Sequence, residues 1–278
     1  MSNASPTPAD RFRTPGGLLL GTMVMYVRAP GIIRMISQTG FDYVFVDMQH
    51  SSLGWETIAD MCEVGRACGL AVIVRPSTVS QAQVNRIQDL GAHGIMFPDV
   101  RSREEIDRFL HWMHYPPSGE RGVTVGGPSS DYRVDRGPEA LERLNRANIV
   151  VVQAECMEAV DALPSMLSGG GIDLVEVGRQ DLSASLGVPG ETSHPKVLDA
   201  LRRVVADCDA HGVRVGAQAA NNDDAQRLLD LGLRCISHIP DRRILLLNFE
   251  GAIRDLRGLE RSVGIERTGS PLDDTRDL

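Results

Sequence analysis

Short, apolar, β-branched runs alternate with longer stretches of helical periodicity along almost the whole chain. The runs are "LLLGTMVM" (18–25), "YVFVDMQH" (43–50), "AVIVRP" (71–76), "GIMFPD" (94–99), "IVVVQAE" (149–155), "DLVEVG" (173–178), "VRVGAQA" (213–219) and "CISHIP" (235–240). Between them lie amphipathic segments such as "WETIADMCEVGRACG" and "HPKVLDALRRVVADCDAHG", each ending in glycine, a common helix terminator. Strands that are apolar on both faces and separated by helices predict parallel pairing with both faces covered. Eight such units predict an α/β fold closed into a (β/α)8 TIM barrel, a single domain over 17–260, in preference to an open doubly wound sheet. The phrases "TGFDYVFVD", "CGLAVIVRP", "LGAHGIMFPD" and "LGLRCISHIP" support this, because each repeats the junction of a helix-ending glycine with a strand.

The segment 100–148 is too long for a simple crossover. It predicts one helix, "SREEIDRFLHWMHY", followed by an irregular excursion through "PPSGERGVTVGGPSSDYRVDRG", the kind of connection that serves as a lid or a subunit contact. The ends, 1–16 and 261–278, are polar and expected to be flexible.

Composition narrows the setting. With 42% apolar and 24% charged residues the chain has ample material for a core, and a net charge of −8 argues against nucleic acid or an anionic membrane as the main partner. The five cysteines (Cys62, Cys68, Cys156, Cys208, Cys235) are scattered and form no CxxC pair, which points to reduced thiols. No basic segment leads into an apolar stretch at the N-terminus, and no apolar run approaches the roughly 20 residues of a membrane span. The expected location is cytoplasmic.

In such a barrel the chemistry belongs at the C-terminal ends of the strands. Polar residues collect there: Asp47, Gln49 and His50 after the second run, Arg75 on the third, Gln153 and Glu155 on the fifth, Asp181 just past the sixth. Alternation points Gln153 and Glu155 the same way, and adjacent strands let Glu155 and Asp181 converge. Two converging carboxylates repel unless a cation lies between them. With hard oxygen ligands, that cation would be Mg2+ or Mn2+. Salt bridges to Arg75 or Arg179 would answer the same need, and spacing leaves both readings open. His50 is likewise open between a structural and a catalytic role, the nearby Asp47 being able to raise imidazole basicity. His93, His111, His114, His194 and His211 read as surface or packing residues, and His238 is undecided. "SGGGID" (168–173) lacks the spacing of a phosphate loop, and no GxSxG elbow is present.

The ordered set "GFDYVFVDMQHS", "VIVRP", "YPPSGERG", "VVQAE" and "VGRQDLSASLG" resembles the HpcH/HpaI aldolase family over about residues 18–258. These are class II, metal-dependent aldolases that act through pyruvate-type enolates. The resemblance implies that His50 is the base, with Asp47 beside it in the same motif. It implies that Arg75 steadies the enolate oxygen, and that Asp89, from an adjoining subunit, raises the basicity of the histidine. Glu155 and Asp181 match the metal ligands, for Mg2+ or Mn2+ with Co2+ as a further candidate, and Gln153 matches a pyruvate contact. A 2-oxo acid and an aldehyde are the implied substrates. A hexamer built as a trimer of dimers, with the last helix exchanged between paired barrels, is the implied assembly, and the 117–147 excursion would serve it.

This sequence departs from the family pattern at three positions. Gln49 stands where glutamate is usual, and Arg179 and Gln180 stand where proline and a small or amide residue usually precede the ligating aspartate. Arg179 and Gln180 are therefore expected to touch the substrate, with Arg179 gripping a second carboxylate or a phosphate. The alternative for Arg179 is an outward pairing with Glu176. Rival functions are a citryl- or malyl-CoA-type lyase, for which no basic cluster announces a nucleotide site, and a non-catalytic 2-oxo-acid sensor, which would need no base.

Overall fold

The computed structural model describes residues 7–135 and 137–263. All eight expected strands are present: β1 (Leu19–Val24), β2 (Tyr43–Asp47), β3 (Ala71–Arg75), β4 (Gly94–Phe97), β5 (Ile149–Ala154), β6 (Leu174–Val177), β7 (Arg214–Gln218) and β8 (Cys235–Ser237). They pair in chain order, every pair parallel, and β8 closes on β1 to make a barrel. The helices are α1 (Pro8–Arg13), α2 (Gly31–Gln38), α3 (Trp55–Cys68), α4 (Gln81–Asp89), α5 (Arg103–Met113) and α6 (Pro138–Arg146). They continue as α7 (Met157–Ser168), α8 (Arg179–Ser185), α9 (Pro195–His211), α10 (Asn222–Asp230) and α11 (Asp241–Val263). The described residues fall into two compact units that part after Asp241. Beyond it, α11 is an amphipathic helix with Leu246, Phe249 and Leu256 exposed.

The glycines that were expected to end two helices do so. Gly69 and Gly212 lie in the left-handed region, at φ 70° and 68°, and close α3 and α9. α5 begins on a Ser102–Glu105 capping box at the predicted position.

Two layers of core follow from the alternation along each strand. Outward-facing residues such as Val44, Val46, Val72, Val74, Val150 and Val152 pack under the helices. Inward-facing Leu19, Tyr43, Phe45, Ala71, Ile73, Met96, Ile149, Val151, Leu174 and Cys235 fill the barrel itself. Each Val, Leu, Ile, Phe or Met among them that is fully removed from water contributes ~1.5–3 kcal/mol, which explains why the inward positions toward the strand N-termini are mostly apolar. Toward the strand C-termini the inward positions turn polar, at Asp47, Arg75, Gln153, Glu176, Gln218 and Ser237. The interior therefore changes from apolar to polar toward the C-terminal mouth.

Two expectations need correction. The segment 1–16 is not loose throughout, because residues 8–13 form α1, started by a Thr7–Asp10 capping box. Ala9 and Phe12 are buried, with the Phe12 ring 5.5 Å from Tyr43, so α1 plugs the N-terminal end of the barrel. Arg214 fastens it by donating to the carbonyls of Phe12, Thr14 and Gly17. Two apolar residues in six are too few for helical periodicity to register in the sequence. The long connection likewise holds a second helix, α6, as well as α5. The expected flexible tail lies outside the described residues from 264 onward, while residues 261–263 continue α11. Among the described residues no helix is long and apolar enough to cross a membrane.

Candidate active site

The mouth is organised around Asp47 and Arg75, which are register partners on β2 and β3. Both are buried, and the pairing is bidentate: Arg75 Nε donates to Asp47 Oδ1 at 2.8 Å and an Arg75 terminal nitrogen to Oδ2 at 2.9 Å. Such a fork is stronger and more directional than a single-point pair. It leaves the other terminal nitrogen to donate to Gln153 Oε1 at 3.3 Å. Asp47 also accepts the backbone N–H groups of Gln49 (2.9 Å) and His50 (3.2 Å), so it shapes the turn that carries His50. The Asp47 oxygens thus take backbone N–H groups and Arg75. The His50 side chain is exposed.

Glu155 follows the last residue of β5. Its Oε1 accepts the N–H of Asp99 at 3.1 Å, from the turn after β4. Asp99 holds φ 50°, a left-handed conformation that costs a non-glycine residue of order 1 kcal/mol, and in which its N–H meets the carboxylate. Gly178, directly after β6, makes room on the other side. A Cβ there would come to 2.8 Å from Glu155 Cβ, 2.9 Å from Oε2 and 3.0 Å from Gln153 Nε2.

Asp181 lies in the first turn of α8 and is exposed, like Gln180 beside it. Partial burial holds the Glu155 carboxyl above its ordinary range, and the negative charge of Asp181 pushes it further the same way. The Asp99 N–H and Arg75 offset part of this. The charge of Asp181 is thus near enough to act on the Glu155 carboxyl. Neither of the arginines expected as alternative partners salt-bridges them: Arg75 is held by Asp47, and Arg179 by Asp224. Among the described residues no cluster of three or more acids, histidines or cysteines could hold a metal, so a cation here would have two protein ligands.

Arg179 lies elsewhere than expected. It is 6% exposed, and both terminal nitrogens are engaged by the Asp224 carboxylate, with further donations to the carbonyls of Gln218 and Thr192. It pairs with Asp224 and not with Glu176. Its terminal donors are filled within the chain, which removes the expected grip on a substrate acid. The charge has gone where it can be compensated under burial.

Asp89 ends α4, and a helix of a β/α unit ends at the opposite end of the barrel from the strand C-termini. Within one chain it is therefore remote from His50. It accepts from Arg121 at 2.7 Å, while Arg121 also reaches Gln88 Oε1 at 3.0 Å and stacks over Tyr115. Of the remaining histidines, His93 is buried with Nδ1 accepting the Val72 N–H and is held down to about 3, chiefly by desolvation, while His194 caps α9.

Three participants were not singled out in the sequence, Asp99, Gly178 and Asp224, and Glu176 was considered only as an outward partner of Arg179. Glu176 stands opposite Gln153 in register and is buried in the polar layer. Loss of water pushes its carboxyl up to about 8, against the pull of Ser237, Arg179 and Arg75. The signal was available, since a glutamate at the inward position of "LVEV" must enter the barrel. Asp224 and Asp99 left no such trace.

A closed parallel barrel with acids, an arginine and an amide at its strand ends has the architecture of a β/α-barrel enzyme. The sequence profile of HpcH/HpaI aldolase/citrate lyase matches residues 23–239. The 4-hydroxy-2-oxo-heptane-1,7-dioate aldolase of Salmonella dublin is 30% identical over 264 residues, covering 93% of this chain and 98% of its own. That of Salmonella paratyphi B is 32% identical over 232 residues, covering 84% and 86%. The crystal structure of an HpcH/HpaI aldolase from Desulfitobacterium hafniense DCB-2 matches with a TM-score of 0.83 at 30% identity, over 87% of this chain and 93% of that one. The chain belongs to the HpcH/HpaI aldolase/citrate lyase family. It is an enzyme, a carbon–carbon lyase of the aldolase class.

Proposed function

We propose that the protein is a divalent-metal-dependent aldolase that cleaves or forms 4-hydroxy-2-oxo acids through a pyruvate-type enolate, with Glu155 and Asp181 as the metal ligands. One observation carries this reading: two mutually repelling carboxylates at the mouth, while Arg75 and Arg179 are committed elsewhere. Oxygen donors, two in number, suit Mg2+ or Mn2+, with substrate and water completing the shell. Once bound, the ion supplies Lewis acidity that lowers the cost of an enolate.

The chain's own groups do the rest. Asp47 holds Arg75 so that its charge stands ready beside the developing oxyanion. Gln153, held by Arg75 and packed on the Gly178 backbone, orients the 2-oxo acid. Gln180, exposed next to Asp181, borders the same space. His50 moves the proton that accompanies carbon–carbon cleavage or condensation. Asp89 reaches a His50 only in a neighbouring copy, so the active site is completed by assembly. The exposed Leu246, Phe249 and Leu256 of α11 supply an apolar face for such contacts, in a hexamer arranged as a trimer of dimers. The five free cysteines suit a reducing cytoplasm.

The test is Mn2+ binding alongside solvent deuterium exchange into pyruvate. Glu155→Gln should lose both, and His50→Ala should lose exchange while keeping the metal. Full exchange in either variant refutes its assigned role. Sedimentation should give the mass of six chains.

A further inference from the structure

The Arg179–Asp224 pair has no part in the chemistry above, yet it is built at considerable cost. Both side chains are about nineteen-twentieths buried, at 5% and 6% exposure, and a buried pair repays its desolvation only with good geometry and further hydrogen bonds. The geometry is that of a fork on a carboxylate, and the further bonds are present. Arg179 also donates to the Gln218 carbonyl at the end of β7. Asp224 also accepts the Ala220 N–H at 2.9 Å and is approached by Arg227 at 3.3 Å.

The location says what is being held. Arg179 is the first residue of α8, and Asp181 is the third. This helix has seven residues and begins on Gly178 without a side-chain cap, too short to be stable by itself. Its first turn must be fixed by tertiary contacts. Leu182 and Ser183, three and four residues further on, lie on the same helix face as Arg179 and are buried with it, Ser183 Oγ accepting the Gly190 N–H at 3.0 Å. At the start of that face the anchor is Arg179, which ties the turn to β7 and to the start of α10.

We propose that Arg179 and Asp224 are positioning residues that orient the first turn of α8 so that the Asp181 carboxylate is held facing Glu155 and ready for a divalent cation. The inference rests on the reading of Glu155 and Asp181 as the metal ligands. Where partners behind a ligand orient it, their removal costs about 10–100-fold in metal affinity. Arg179 would act in the same way, through the backbone of a short helix.

The experiment titrates Mn2+ alone into the metal-free full chain and follows free Mn2+ by electron paramagnetic resonance, with thermal unfolding run in parallel. Asp224→Asn preserves shape but removes the charge, and Arg179→Lys keeps the charge but removes the fork. Arg13→Ala serves as the control, because Arg13 binds Asp173 and the Asn148 carbonyl at the opposite end of the barrel. Both α8-side variants should weaken Mn2+ binding by about 10–100-fold, with the control destabilised but binding as the wild type does. Wild-type affinity in folded Asp224→Asn and Arg179→Lys overturns the proposal, and so does an equal loss in Arg13→Ala, which would trace the effect to stability alone. A wild-type chain that binds no Mn2+ overturns the two-carboxylate reading and this proposal with it.

Discussion

Glu176 offers the sharpest quantitative test of the barrel interior. It is buried on the inner face of β6, its Oε1 accepting from Ser237 at a long 3.4 Å and its Oε2 packed so close to Gly216 that a Cβ there would collide with it. Among the described residues Oε2 has no hydrogen-bond partner. Desolvation dominates, and the charges of Arg179 and Arg75 reduce its effect only in part, so the carboxyl is raised from 4.5 to about 8. A raised folded value means that the native state holds a proton the unfolded chain has already released. The associated stability is complete below 4.5 and is lost as pH rises through about 8. The full loss corresponds to about 5 kcal/mol, falling at up to ~1.4 kcal/mol per pH unit. Glu176→Gln keeps the shape and removes the titration. Urea unfolding of both proteins in metal-free buffer, from about pH 4.5 to pH 8.5, should show the difference in stability moving steadily in favour of the glutamine variant, by at least ~2 kcal/mol in total. Contributions from His93 and the buried thiols are common to both proteins and cancel. A difference that stays constant within ~0.5 kcal/mol would show that Glu176 is ionised throughout and would refute the desolvation argument. A trend of opposite sign would make it a charged partner of the arginines.

Other expectations test separate links in the structure. Asp47→Ala should cost about 3–5 kcal/mol by leaving the Arg75 guanidinium buried and unpaired, and should depress kcat as well; unchanged chemical denaturation would show the pair to be dispensable. Gly178→Ala places a methyl against Glu155 and Gln153 and should cost about 1–3 kcal/mol with weaker Mn2+ binding, measured by calorimetry. Wild-type affinity in that variant would mean that the carboxylate adjusts without penalty. Phe12→Ala empties the barrel plug and should lower stability by about 3–5 kcal/mol while leaving Mn2+ affinity alone; a loss below ~1 kcal/mol would mean that α1 is peripheral.

The eight strands were legible because each is buried on both faces, and burial writes itself into sequence as an unbroken β-branched run. Asp47, Arg75, Gln153 and Glu155 were legible for the converse reason: a polar residue at the end of such a run contradicts its surroundings. α1 was not, since six residues with two buried positions are too few to show a helical repeat, and α6, although amphipathic, directly follows a stretch rich in glycine and proline that reads as irregular. Arg179 was visible as a charge beside Asp181, but its direction was not. A long side chain can reach several neighbours, and the one it meets here, Asp224, is 45 residues away along the chain.

What the sequence by itself determined is the local and periodic part of the protein: strand positions, helix ends, the order of units and the acids and arginine at the strand termini. All of these depend on which residues are apolar at a spacing of two or three to four. What only the tertiary structure decided is which charge answers which. Closing the barrel brings β3 beside β2, and α10 over the start of α8, so that both arginines meet buried aspartates and leave Glu155 under the influence of the Asp181 charge. Compensation of charge under desolvation depends on distances in space, and no pattern along a single chain encodes them.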